Sequence, residues 1–167
     1  MSAVISGCGR YRYRLARNVQ GTRGIVFGYF GVNPSTADAE LDDQTILKWK
    51  GFTRRNNGHR FIVGNPFALR ATDVRELARV ADPIGAENYG HLLQIIAEAD
   101  VLVPCWGNRS KVPSKLHPQF DEVTALIFKS GKPVKIFGLT KSGDPKHPLM
   151  LAYDTPLIDW ERPLNAH

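Results

Sequence analysis

The run Ile25-Val26-Phe27-Gly28-Tyr29-Phe30-Gly31-Val32-Asn33-Pro34-Ser35 decides how this chain folds. Its first six residues carry no charge and read as a buried strand. Gly31 ends that strand in a polar tip, Gly31-Val32-Asn33-Pro34-Ser35. The same arrangement returns twice: Asn65-Pro66-Phe67-Ala68-Leu69 follows the apolar run Phe61 to Gly64, and Trp106-Gly107 closely follows Val101-Leu102-Val103. A fourth tip, His147-Pro148-Leu149, lies in a loop rich in Gly and Pro after the run Val134 to Phe137. Parallel strands bring their carboxyl ends to one crevice. Two Asn, a Trp-Gly and a His are expected to meet there.

Helical patterns separate these strands. Asp42 and Asp43 precede Ile46, Trp49 and Phe52, which share one side of a helix, and Asp is a good N-cap. Asn57-Gly58 is a natural stop. Asp73 with Glu76 resembles a capping box for a short helix, Val74 to Val80. Leu92, Leu93, Ile95, Ile96 and Ala99 mark a second amphipathic helix, and Phe120, Val123 and Ile127 a third that ends near Gly131. At the start, Tyr11, Tyr13 and Leu15 are assigned one strand face and Arg12, Arg14 and Arg17 a solvated one, at a sheet edge. The order β-α-β-α-β-α-β implies an α/β protein of three layers. A mostly parallel central sheet of about four strands, with an N-terminal edge hairpin, lies between helices in one domain, residues 1–167.

Composition sets the outer bounds. The chain has 167 residues, 43% hydrophobic and 23% charged, with a formal charge of +6. A basic balance suits nucleic acid without specifying a fold. Two isolated cysteines, Cys8 and Cys105, cannot build a four-cysteine metal site, and Cys105 reads as a small buried residue. No secretion-signal pattern and no membrane-length apolar run is present. The expectation is a cytoplasmic monomer with no membrane partner, no metal and no cofactor.

The ordered set Gly31-Val32-Asn33-Pro34, Asn65 after a strand, Trp106-Gly107 and a late His147-Pro148-Leu149 resembles the uracil-DNA glycosylase superfamily. Its members carry Gly-x-(Asp or Asn)-Pro early, a base-reading Asn after the second strand, and a His-Pro loop late. Over most of its length the chain also resembles a family of small bacterial and phage proteins of unknown function. That likeness rests on Asn33-Pro34-Ser35-Thr36-Ala37-Asp38, Asp42-Asp43, Arg70-Ala71-Thr72-Asp73 and Lys141-x-Gly143-x-Pro145-x-His147-Pro148-Leu149.

The first resemblance implies a uracil-DNA glycosylase-like fold and an enzyme that hydrolyses the N-glycosidic bond of a flipped nucleotide in DNA. Asn33 would position water and His147 would stabilise the departing base. Pro34, Ser35, Asn65, Phe67, Trp106 and Leu149 would contact substrate. Asn65 offers a donor and an acceptor to a pyrimidine edge, though Asn-Pro also suits a plain turn. Leu149 fits equally a wedge for the vacated stack and ordinary core. Arg70, Arg109, Lys111, Lys141 and Lys146 would meet phosphates, or Arg70 would pair with Asp73 to hold a loop. Strict uracil enzymes carry a bulky Tyr where this chain has Ser35, so a 5-substituted or otherwise modified pyrimidine is expected, such as those of phage DNA. Asn cannot deprotonate water, and Asp38, Asp42 and Asp43 are each either helix or loop caps or the carboxylate that can. Two rivals stand beside this reading: a hydrolase of free nucleosides or nucleotides, and a non-catalytic binder of modified or damaged DNA.

Overall fold

The computed structural model describes residues 1–163; residues 164–167, the end of the expected domain, lie outside the described residues. Seven strands and three α-helices alternate as β1 (Ser2–Ile5), β2 (Arg12–Asn18), β3 (Ile25–Phe30), α1 (Gln44–Arg55), β4 (Gly58–Gly64), α2 (Asn88–Glu98), β5 (Val101–Pro104), α3 (His117–Lys129), β6 (Lys135–Ile136) and β7 (Ile158–Asp159). The main sheet is mixed, with order β1-β2-β4-β3-β5. β4, β3 and β5 run parallel, while β2 pairs antiparallel with both β1 and β4.

Period-two alternation sorts the strand residues into two cores. Phe27, Tyr29, Phe61, Val63 and Val103 face Ile46, Trp49 and Phe52 of α1. Phe30, Ile62 and Leu102 face Leu92, Ile95 and Ile96 of α2 and Phe120, Val123 and Ile127 of α3. The helices therefore cover both faces of the sheet, giving three layers. Phe30 and Phe61 are fully buried, which is worth about 1.5–3 kcal/mol each. Helix α1 begins where Asp43 accepts the Ile46 N–H at 2.9 Å and ends before Asn57, whose φ of 61° breaks the helical path. Asp73 caps a shorter segment than expected, one 3₁₀ helix at Val74–Ala78.

Two expectations are corrected. The run Val134 to Phe137 does not complete a fourth parallel strand. Val134 makes a single parallel bridge to Leu102, and then Lys135 and Ile136 pair with Ile158 and Asp159 in a separate small sheet. The Pro133 carbonyl accepts the Leu102 N–H on one edge, while the Val134 carbonyl accepts the Trp160 N–H on the other. The second correction concerns the arginines. β1, not β2, is the edge, and Arg12 and Arg17 are buried. Arg17 has the parity of Leu15 and so lies on the inner face. Its guanidinium meets the Asp42 carboxylate at 2.8 Å and the carbonyls of Ala16, Asp38 and Leu41. Arg12 donates to the Ala37 carbonyl at 2.8 Å. Arg14 reaches Glu98 at the end of α2.

These bonds tie residues 37–42, which lack regular structure, to β2. No helix among the described residues is long and apolar enough to cross a membrane.

A buried charge that loses its partner is destabilised by several kcal/mol. Arg17→Ala is therefore expected to lower folding stability by about 3–5 kcal/mol, read from urea unfolding; a loss under 1 kcal/mol contradicts the clamp.

Candidate functional site

The parallel strands have the order β4-β3-β5, with β3 first in the chain. The chain leaves β3 toward one neighbour and later returns to the other side. Such a divergence opens a crevice beyond the strand ends. A cleft of about 460 Å³ lies there. Its walls include Gly31, Asn33 and Ser35 after β3, Asn65 after β4, Trp106, Gly107 and Lys111 after β5, and His147 and Leu149 from the late loop. Residues separated by more than a hundred positions thus share one space.

Asn33 is held by its nitrogen. Nδ2 donates to the carbonyls of Pro34 at 2.9 Å, Leu69 at 3.3 Å and Ala71 at 2.8 Å. The amide is thereby oriented, and no partner within the described residues is bound to Oδ1. Pro34 is buried, and its carbonyl also accepts the Ala71 N–H at 3.0 Å. Pro34 holds the turn and does not line the cleft.

Asn65 is 3% exposed, yet its side chain has no hydrogen-bond partner among the described residues. Its backbone is fixed from outside the cleft: Asn88 Nδ2 donates to the carbonyls of Asn65 and Pro66, and Gln119 Nε2 donates to Pro66. Gly31 makes room for it, since a Cβ there would come 3.0 Å from Asn65 Oδ1. The amide atoms themselves open on the cleft, where water or a polar ligand can reach both the donor and the acceptor.

His147 is half-buried on the opposite wall. The Leu149 N–H donates to its Nδ1 at 3.2 Å, so the neutral ring carries its proton on Nε2. Burial, reinforced by the cation of Lys111 and opposed by Asp43, pushes its pKa down to about 4. It is a neutral donor at pH 7. Gly107 packs against it: the φ of Gly107 is 77° and a Cβ there would meet the His147 Cβ at 3.2 Å. The Gly107 N–H also donates to the Pro145 carbonyl at 2.8 Å. Leu149 sits on the rim, 39% exposed.

The remaining expected residues take other places. Phe67 is fully buried and packs edge-to-face on Phe120, which in turn touches Trp106; it belongs to the core behind the wall. Trp106 is 3% exposed, lines the cleft, and leaves its indole N–H without a partner among the described residues. Arg109 directs Nε to Asp144 at 2.9 Å and Nη1 to Asp121 at 3.0 Å, clasping the β5 loop to the His147 loop. Arg70 does not pair with Asp73, which binds Arg75; its Nε donates to the Ser35 carbonyl at 3.4 Å. Lys141 and Lys146 are exposed and off the cleft wall, whereas Lys111 is on it.

The three aspartates separate cleanly. Asp38 caps its own turn through the N–H groups of Glu40 and Leu41, and Asp42 is held by Arg17 and Lys50. Asp43 alone of the three lines the cleft; one oxygen caps α1 and the other has no partner among the described residues. Arg12 lines the cleft too, although its alternation with tyrosines gave no hint of burial. Among the described residues no group of three His, Cys, Asp or Glu is placed to hold a metal ion. Cys105 is buried, and burial pushes its thiol up to about 12, which removes it as a nucleophile at neutral pH.

A family model described as "Protein of unknown function (DUF1643)" matches residues 12–149, and the chain belongs to that family. Comparison with curated proteins and with solved structures gives no match.

An NMR titration of His147 is expected to show a midpoint near 4, and Lys111→Gln should move it upward by removing a cation. The unfolded chain takes up this proton near 6.5 while the folded chain does so only near 4. Stability from His147 is therefore complete above 6.5 and falls as pH drops through that window. His147→Gln should flatten this part of the acid unfolding profile. Gly107→Ala is expected to cost about 1 kcal/mol or more and to shift the His147 ring resonances; unchanged resonances would contradict the contact.

Proposed function

We propose that this member of the DUF1643 family is a DNA glycosylase with a uracil-DNA glycosylase-like layout, acting on a pyrimidine that carries a 5-substituent or other modification. The observation that supports this most is the side-chain amide of Asn65, which has no partner among the described residues and opens on a cleft that Asn33 and His147 also line. An amide presents a donor and an acceptor side by side, which matches the edge of a pyrimidine. A cleft of about 460 Å³ falls in the range of small-molecule sites and suits one extruded nucleoside.

The chemistry needs charge stabilised at two points. As the C1′–N1 bond breaks, its electron pair passes to the base and positive charge builds on the sugar. His147 donates from Nε2 to the developing anion on the base oxygen. A neutral imidazole is suited to this, because it contributes a hydrogen bond without having been a fixed cation. Asn33 Oδ1 accepts from the attacking water and aims it at C1′. Asp43 takes the water's proton through the oxygen that does not cap α1. Water oxygen bonds to C1′, the base leaves as its anion and is protonated from solvent, and an abasic sugar remains. Leu149 on the rim has the position and apolar character of a wedge for the vacated stack.

Ser35 supplies the specificity argument. It is small, lies on the wall, and sits next to Pro34. A hydroxymethyl side chain leaves space where a large aromatic would exclude a 5-substituent. Modified phage DNA is a natural source of such bases, so a role in phage defence fits this chemistry.

Incubation with DNAs bearing uracil, thymine and bulky 5-modified pyrimidines, followed by alkali, reads abasic product directly. Cleavage of modified substrates in preference to uracil is expected. Asn33→Ala and Asp43→Asn should each lower the rate by about 100-fold or more. Asp43→Asn should leave stability unchanged, since Asn caps a helix as well as Asp, and Asp38→Asn should leave the rate unchanged. A uracil-only enzyme would falsify the pocket argument. Product from free nucleosides without DNA, or DNA binding that survives Asn33→Ala with no product from any base, would replace the glycosylase reading by one of its rivals.

A further inference from the structure

A second groove adjoins the cleft. Arg10, Arg70 and Arg79 line it, with Gly9, Leu69 and Val80 between them and Glu76 as its one acidic residue. Arg10 and Arg79 are exposed, and none of the three guanidinium groups forms an ion pair with a carboxylate among the described residues. Outside the groove, Asp73 pairs with Arg75 and also attracts Arg79, and Asp38 attracts Arg70, without a direct ion pair to either groove arginine. Arg70 makes only long contacts, at 3.4 Å, to the carbonyls of Ser35 and Gly9. The groove itself holds three cations and one carboxylate and is positively charged, a balance that Asp38 and Asp73 reduce from outside it.

Its position relative to the cleft gives it meaning. Arg70 lines the groove and not the cleft, but it stands next to the cleft wall: its Nε donates to the Ser35 carbonyl at 3.4 Å, and Ser35 and Ala71 line the cleft. The Arg70 N–H donates to the Arg10 carbonyl at 2.8 Å, which joins the two arginine segments rigidly. Lys111 lies on the cleft wall as well, on the β5 loop rather than this segment. Cations without a carboxylate ion-pair partner among the described residues thus stand both on the cleft wall, at Lys111, and in the groove beside it.

We infer that the Arg10–Arg70–Arg79 groove carries the phosphodiester backbone of the strand that continues from the nucleotide held in the cleft. This rests on the nucleotide-extruding reading above and adds the path of the polymer. A free mononucleotide has a single phosphate group and would not need a second basic groove beyond the pocket wall. A nucleic-acid strand has a phosphate at every step and does. Contacts of this kind are blind to sequence and release counterions, so they are recognised by their salt dependence.

The test is fluorescence anisotropy of labelled oligothymidylate and oligouridylate across a salt series, with the wild type, Arg10→Gln/Arg79→Gln, and the charge-matched Arg23→Gln/Lys129→Gln. All are exposed positions, and unchanged unfolding midpoints verify intact folding. The groove variant is expected to bind about tenfold more weakly near physiological salt, with the logarithmic salt slope reduced by about 0.7 for each lost contact. The charge-matched variant should lose far less. Equal behaviour of the two double variants overturns the groove. Loss confined to one polymer keeps the groove and identifies its strand as DNA or RNA. Abasic product is scored separately. Lost binding in the groove variant, with no product from the wild type on any base, keeps the groove and removes the glycosylase reading. Product from the wild type with equal binding by both double variants does the reverse.

Discussion

The site depends on the burial of one guanidinium. Arg17 is fully buried, and a charge in that position persists only if its donors are satisfied. Beside the carbonyls of Ser2 and Ala16, its acceptors are the Asp42 carboxylate and the carbonyls of Asp38 and Leu41, the last three in the stretch between β3 and α1. That stretch has no sheet or helix bonds of its own, and ordering it costs about 1–2 kcal/mol per residue in backbone entropy. Arg17, with Arg12 on the Ala37 carbonyl, supplies the fixed points. The antiparallel strand β2 is thus more than an extension of the sheet. It brings the two cations that hold residues 37–42, the stretch that leads directly into Asp43 and α1.

The polar groups of the cleft follow a common rule: one end of each is consumed by the fold and the other is left over. Asn33 spends its nitrogen on three carbonyls and keeps its oxygen. His147 spends Nδ1 on the Leu149 N–H and keeps Nε2. Asp43 spends one oxygen on the first turn of α1 and keeps the other. Each spent half fixes the orientation of the offered half, and orientation set before a ligand arrives is what lets a dipole stabilise developing charge without reorganising. Asn65 departs from the rule in an informative way. Its carbonyl is anchored by Asn88, the next carbonyl, that of Pro66, by Asn88 and Gln119, and both ends of its amide are left over. The wall opposite is held just as firmly, because Arg109 clasps Asp144 and so couples the Trp106-Gly107 loop to the loop of His147.

Much of this was legible in the chain, and the failures have physical causes. Strands β3, β4 and β5 are short apolar runs buried on both faces, the pattern parallel strands require. Helix α1 announces itself through Asp43 and the spacing of Ile46, Trp49 and Phe52. Arg12 alternates with the tyrosines, a pattern that ordinarily marks a wet face, and nothing local reveals that a distant loop folds over it; Arg17 breaks the alternation and shares the parity of Leu15, the one local sign that it points inward. Val134 to Phe137 looks like any central strand, yet its regular partner is more than twenty residues later, at Ile158 and Asp159, and only one bridge joins it to β5. Phe67 follows the Asn65 tip in sequence but turns into the core beside Phe120. Arg109 is basic and near the cleft, and only its two carboxylate partners reveal it as a clasp.

By itself the sequence determined the layers, the strands and the order of the polar tips, because hydrophobic periodicity and helix capping act over a few residues and are written locally. It also placed Asn33, Asn65 and His147 at strand ends or in the late loop. Tertiary structure alone decided which of three neighbouring aspartates opens on the cleft, which arginines are buried, and which nitrogen of His147 keeps the proton. Those outcomes turn on hydrogen-bond partners far apart in the chain, and a buried polar group takes whichever partner the fold brings within reach.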